Sequence, residues 1–320
     1  MTIYTLGFYH KITLSSNYTK YIMQTTEKLH PEALGLDEKS DLEILTILYE
    51  GQIEAARSVN KSMAFLEAGA KAMANAVLMG NKLIYAAAGS SGLQGMADGL
   101  ELTPTFGIPI SQIKILRAGG IQDMSQPKGN MEDSKLAAIS DAKIIKPGDC
   151  VICLAASGNT TYPSVIMKIA KKVGATTIGI ANNPDTELLL GSDIPVLLPT
   201  PPEVVAGSTR LGAGTAQKIA LNTMSTYMGM LLGHVMDGQM VNLIANNAKL
   251  FKRSEKIVMN ITGCNTKTAK DALTKANGGV KFAILLASGA KSVVNAQNIL
   301  ESEGQNLRSA ISRLKFEQLN

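Results

Sequence analysis

Two turns of nearly the same make-up carry the residues best suited to chemistry: Ala87-Ala88-Gly89-Ser90-Ser91-Gly92 and Ala155-Ala156-Ser157-Gly158-Asn159-Thr160-Thr161. Each follows a short apolar run and leads into a helical pattern. Backbone N–H groups and hydroxyls then converge at helix N-termini, which favour an anion such as phosphate. Ser90, Ser91, Ser157, Thr160 and Thr161 bring hydroxyl donors, while Gly89, Gly92 and Gly158 let the backbone come close to a ligand. One such turn is an ordinary way to end a strand, but two at matching strand ends make a stronger signal. A third stretch, PPEVVAGSTRLGAGTAQKIALNTMST from Pro201 to Thr226, adds Ser208 and Thr209, the fixed charge of Arg210 and the acid Glu203. Between the first turn and Gly107, the strong acids are Asp98 and Glu101.

Other chemistries are poorly served. His10, His30 and His234 are isolated from one another and from cysteine, so they read as surface or cap histidines. Cys150 and Cys153 spell CxxC, but they lie in CVICLAAS, an apolar run where an offset of three puts the side chains on opposite faces of a strand. Neither a metal nor a cofactor is expected. With Cys264 the cysteines are an odd, sparse set, which fits a reducing, cytoplasmic compartment.

These turns need a scaffold, and the chain of 320 residues is long enough to bury a substantial core. Apolar residues are 45%, charged 18% and aromatic only 4%, with no Trp, which predicts helix-rich packing through small side chains. The formal charge of +5 is spread along the chain without basic runs or interleaved aromatics, which argues against nucleic acid as a partner. No segment has the length of a membrane helix, and the N-terminus lacks a signal-peptide core.

Helical spacing over LEILTILYEGQIEAARSVN and MAFLEAGAKAMANAVLM predicts two helices, the first capped by Asp37 or Ser40. KLIYAAAGSSG, IKILRAGG, CVICLAASGNT, TTIGIANNP and IPVLLPTPP then read as strands running into turns, most of them separated by helical stretches. That alternation predicts an α/β fold, a parallel sheet with helices on both faces. From Asn246 the pattern is wholly helical, and VKFAILLASG is the expected centre of a small all-helical C-terminal domain. The expected organisation is an N-terminal extension over 1–22, a helical segment over 23–60, the α/β domain over 61–240 and the helical domain over 241–320.

The order AGSSGLQG, ELTPTFG, LRAGG, ED, AASGNTTYP and EVVAGSTRLGAGTAQK, followed by a helical tail, resembles the N-acetylmuramic acid 6-phosphate etherase family. That family is a branch of the sugar isomerase (SIS) fold that also includes the glucokinase regulatory protein. The resemblance runs from about Thr26 to Ile311, with EVVAGSTRLGAGTAQK its most specific part and TEKLHPEALGLDEKSDLEIL similar to the family's opening. It implies a SIS-type sheet, a homodimer with its active site at the subunit boundary, and a phosphorylated amino sugar as substrate. The lactyl ether is cleaved by removal of the C2 proton while an acid protonates the departing oxygen at C3; water then adds to the enal.

Glu101 falls on the family's acidic residue in this segment, and a carboxyl kept protonated suits the departure of lactate. The family's second glutamate corresponds to Gly129 here, within KGNMED. Glu132, three residues on, is the substitute if the segment is helical, with Glu203 as a further candidate. Leu93 and Asn159 stand where the family commonly has arginine after its two SG turns, Gly212 where it has lysine, and Leu29-His30 where it has Arg-Asn. Charge compensation for the ligand is therefore expected mainly from Arg210, Lys218 and backbone dipoles. The alternatives on the same scaffold are a non-catalytic phosphosugar-binding regulator and a phosphosugar isomerase.

Overall fold

The apolar runs that end in glycine-rich turns form one sheet. In the computed structural model, which describes residues 24–121, 130–243, 245 and 247–319, these runs become β1 (Leu83–Ala87), β2 (Ile113–Arg117), β3 (Cys150–Ala155), β4 (Thr176–Ala181) and β5 (Ile194–Leu197). They lie in the order β2-β1-β3-β4-β5, every neighbouring pair parallel. Every residue of β1 and β3 is buried, as a parallel strand covered on both faces requires. The expected extension over residues 1–22 and the substituted Gly129 fall outside the described residues.

Helices α1 (Asp41–Ser58) and α2 (Met63–Leu78) precede the sheet. Of the two candidate caps for α1, Ser40 serves: the Glu43 carboxylate accepts from its backbone N–H at 3.0 Å and from its hydroxyl at 2.5 Å. Alternate side chains along the strands point into separate cores. Leu83, Tyr85, Cys150, Ile152 and Leu154 pack with α2, α3 (Gly89–Phe106) and α7 (Gly212–Leu231). Ile84, Ala86, Val151 and Cys153 pack with α4 (Lys135–Asp141), α5 (Thr161–Val173) and α6 (Glu187–Gly191). The two cysteines of CVICLAAS do face opposite ways, and burial pushes the Cys150 thiol up to about 12. Small residues allow the close approaches that the composition predicts. A Cβ on Gly99 would stand 2.7 Å from Ile115 Cδ1 and 3.1 Å from the Tyr85 ring.

Beyond the sheet, α8 (Ala248–Thr262), α9 (Thr266–Lys275), α10 (Val280–Ala287), α11 (Val293–Ser302) and α12 (Leu307–Leu319) surround an apolar core of their own. Val280, Ala283, Ile284 and Leu285 of α10 sit in that core, as the sequence of this helix predicts. Helix α12 extends the tail past the last helix that periodicity predicts. The hairpin β6 (Val235–Met236) and β7 (Gln239–Met240) also escapes periodicity, although its Asp237-Gly238 turn is a recognised hairpin signal.

A candidate active site at the C-terminal edge of the sheet

The chain leaves β1 for β2 on one side and later returns to β3 on the other side of β1. The crossovers diverge between β1 and β3, and in open α/β sheets that divergence opens a crevice above the strand C-termini. The two serine-glycine turns are the two lips of this crevice.

On the β3 lip, Gly158 has φ of +75° and a Cβ there would collide with Thr186, so a side chain would face both strain and collision. The Ser157 hydroxyl closes the turn: the Asn159 N–H donates to it at 3.3 Å, and it shares a hydrogen bond with the Thr160 hydroxyl at 3.2 Å. Thr160 is then the N-cap of α5. Asn159 braces the next element, since its side-chain oxygen accepts from the Glu187 N–H at the start of α6 at 2.9 Å. Only its amide NH2 is left to offer an anion.

On the β1 lip, α3 begins at Gly89, and the first helical hydrogen bond of this turn runs from the Gly92 N–H to the Ala88 carbonyl. The N–H groups of Gly89, Ser90 and Ser91 therefore have no partner within the helix. Ser90 is half-buried and Ser91 buried in this first turn.

The third stretch is tied to the same edge through a relay. Asn183, just after β4, donates to the Ala156 carbonyl at 3.3 Å and to the Thr26 hydroxyl at 3.1 Å, and it accepts from the Thr26 N–H at 3.3 Å. The Thr26 carbonyl in turn accepts from the Gly207 N–H at 3.1 Å. Ser208 and Thr209, both half-buried, and exposed Arg210 follow directly. Thr26 and Asn183 are site-building residues that sequence reasoning missed; the signal available was the polar Asn182-Asn183 pair directly behind a strand.

The acids divide by location. Glu203 is 4% exposed, and its two oxygens accept from the N–H groups of Gly212 and Ala213 at 2.8 Å each. A carboxylate so placed satisfies the open start of α7 and suits the positive end of its dipole. Its position is that of a clamp for α7, with both oxygens already engaged. The clamp also gives a physical reason for glycine at 212. A Cβ there would stand 3.0 Å from both Ala55 Cβ and the Glu203 carboxylate, so a lysine would require α1 to yield.

Glu132 lies in a 3-10 turn over Met131–Asp133, with Oε2 3.9 Å from where a Cβ on Gly89 would be. Its carboxylate therefore borders the open start of α3. Glu101 is exposed and stands on the same α3, but twelve residues beyond Gly89. At 1.5 Å per residue that is about 18 Å along the helix, so a single chain does not bring the two acids together.

Two charge expectations change. Lys218 is exposed on α7 and donates to Asn222 Oδ1 at 2.6 Å; among the described residues it has no ion pair. Arg117, at the end of β2, is buried at this edge, and its place at the end of an apolar run concealed it. His234 also departs from the surface reading. Its Nδ1 is buried without a partner, and burial, with Lys281 nearby, lowers its pKa to about 4. His30 fits a cap, accepting from the Glu32 N–H at 3.1 Å. Among the described residues no cluster of three His, Cys, Asp or Glu could hold a metal, and no helix is long and apolar enough to cross a membrane.

No family model matches the chain, but curated proteins do. The chain is 38% identical over 288 residues to the N-acetylmuramic acid 6-phosphate etherase of Deinococcus radiodurans, covering 89% of this chain and 94% of that protein. The enzyme of the same name from Oceanobacillus iheyensis is 38% identical over 82% of this chain and 90% of its own length. That from Histophilus somni is 33% identical over 89% and 95%. Among solved structures, a phosphoheptose isomerase from Francisella tularensis aligns with 60% of this chain and 100% of its own at TM-score 0.45 and 14% identity, too distant to speak to chemistry. With 38% identity sustained over 89% of this chain and 94% of a relative, the chain belongs to the N-acetylmuramic acid 6-phosphate etherase family.

Proposed function

We propose that this protein is an etherase-like carbon–oxygen lyase that cleaves the lactyl ether of a 6-phosphorylated amino sugar, N-acetylmuramic acid 6-phosphate by family membership. The 6-phosphate rests on the first turns of α3 and α5, where the open N–H groups of Gly89 to Ser91 and the hydroxyls of Ser90, Ser91, Ser157 and Thr160 can meet it. Ser208, Thr209 and Arg210 close the mouth. The observation that carries the reading is the Glu132 carboxylate against the start of α3, since it supports a candidate base beside the anion cradle in a chain where Gly129 falls on the family's second glutamate.

Glu132 removes the C2 proton of the ring-opened sugar, whose C1 aldehyde makes that proton acidic. As the C3–O bond breaks, Glu101 protonates the ether oxygen and lactate leaves; water adds to the resulting enal. The separation of about 18 Å between Glu101 and the cradle along α3 favours Glu101 arriving from a second subunit. The protein therefore works as a homodimer with shared sites, in the cytoplasm and without nucleic acid.

Incubation with N-acetylmuramic acid 6-phosphate in deuterated water tests this, with lactate release and C2 deuteration scored together. Both signals are expected. Binding without either would make the protein a phosphosugar-responsive regulator, and deuteration without lactate would make it an isomerase.

A further inference from the structure

The α3 start has a second flank, on the side of β2 and away from the β1–β3 crevice. Arg117 ends β2 in register with Ala87, the last residue of β1, and is only 9% exposed. Its side chain crosses the first turn of α3. A Cβ on Gly92 would stand 3.1 Å from Arg117 Cγ and 3.4 Å from its Cδ and Nε. Gly92 lies three residues after Gly89, and positions three apart share a helix face. The face of α3 that borders the Glu132 carboxylate is therefore also the face that Arg117 covers.

Among the described residues the guanidinium is poorly satisfied. One donor reaches the Gly120 carbonyl at 3.2 Å, and Nε is buried with no partner. Among the described residues no carboxylate comes within ion-pair distance of it. A buried cation without a counter-charge is costly, and this cost is offset when an anion arrives. A planar fork of N–H donors matches a carboxylate.

Resting on the etherase reading, we propose that Arg117 binds the carboxylate of the lactyl arm, as a specificity residue distinct from the phosphate cradle. The substrate carries two anions. The hydroxyls and helix starts of the β1–β3 crevice take the phosphate, whereas Arg117 approaches the α3 start from its β2 flank, one strand from β1 and two from β3, about 5 and about 10 Å at ordinary strand spacing. That offset suits an anion attached elsewhere on the sugar. Arg117 also places a positive charge against Gly92, the residue before Leu93, which is 42% exposed and stands where the family commonly has arginine.

The test is calorimetric binding in the Glu101→Gln background, which slows lactate release about 10²–10⁴-fold, comparing Arg117 with Arg117→Met and Arg117→Lys. Methionine keeps an apolar stem over Gly92, and the melting temperature of each variant checks folding. Two ligands separate the anions: N-acetylmuramic acid 6-phosphate has both, and N-acetylglucosamine 6-phosphate has only the phosphate. Arg117→Met should weaken the first about 10- to 100-fold, as expected for lost hydrogen bonds to a charged group, and leave the second within about twofold. Arg117→Lys should recover part of the loss. Equal weakening of both ligands in a folded variant would overturn the proposal and move Arg117 to the phosphate. Unchanged affinity for both would show that the guanidinium is spent within the protein. If the parent protein binds neither ligand, the etherase reading itself fails, an outcome distinct from either.

Discussion

Asp98 and Glu101 stand one turn apart on α3, yet they belong to different regions of the molecule. Asp98 points into the seam between β1, α3 and α7 and is 4% exposed. Its oxygens accept from the Tyr85 hydroxyl at 2.7 Å, Asn222 Nδ2 at 2.7 Å and the Ser225 hydroxyl at 2.8 Å. Burial first, and then the neighbouring Asp98 carboxylate, raises the Tyr85 pKa well above its ordinary value, so this donor keeps its proton. Glu101 and Glu132 accept no such set among the described residues and lie at the protein surface or the mouth of the crevice. A carboxylate whose oxygens are all engaged in the interior holds elements together, whereas one with open oxygens at an anion-binding edge can exchange a proton with a ligand.

Removing the open carboxylates should produce the largest effects, and on rate alone. Glu101→Gln keeps shape but cannot donate a proton, so lactate release should fall about 10²–10⁴-fold while C2 exchange continues. Glu132→Gln should abolish both exchange and release, because the base acts first. Neither change should move the melting temperature by more than a degree or two. If Glu132→Gln leaves exchange intact, Glu132 is not the base and the replacement for Gly129 lies elsewhere.

The seam should answer in the opposite way. Asp98→Ala strands two buried donors, Tyr85 and Ser225, and the half-buried Asn222 amide; at about 1–3 kcal/mol for each buried donor, a loss of about 3 kcal/mol in urea unfolding is expected. Turnover per folded molecule should remain. Glu203→Ala, which opens the start of α7, should cost about 2 kcal/mol by the same assay. A catalytic loss in Glu203→Ala larger than its loss of folded protein would mean that the clamp also reaches substrate.

The contrast between the two regions was only half legible in the sequence. The strands and their turns were legible because buried parallel strands leave continuous apolar runs, and because Gly and Ser interrupt them at the same place twice. The roles of individual acids were not. Glu203 looks like a second active-site acid until a loop folds back and aims it at Gly212 and Ala213, nine and ten residues on. Thr26 and Asn183 meet across 157 residues, a separation at which no local pattern operates. Arg117 closes an apolar strand, and only the sheet order shows that its neighbour is the start of α3. Glu132 is a candidate that the sequence offers because its distance from Gly129 is local, although its 3-10 turn differs from the helix assumed.

His234 sharpens the comparison as a third case, a half-buried titratable group whose Nδ1 is buried and which has no counter-charge among the described residues. Its Nδ1 has no partner, Lys281 of α10 faces it with like charge, and a backbone hydrogen bond to Phe106 is the one feature that favours its cation. Its folded pKa of about 4 lies below the ordinary 6.5. Between these values the unfolded chain binds more protons, so stability is fully present above 6.5 and is lost as pH falls toward 4. Lys281, itself only 6% exposed, is lowered by burial to about 8 from an ordinary 10.5. It is protonated in both states below pH 7 and adds no slope there. Moving from pH 7 to pH 5 should therefore cost the parent protein about 1 kcal/mol more than a His234→Asn variant, after allowance for partial exposure. Urea titrations of both proteins at the two pH values measure this difference. Parallel losses would mean that His234 meets solvent freely enough to titrate as in the unfolded chain, and that the junction between sheet and helical tail is looser than the buried Nδ1 implies.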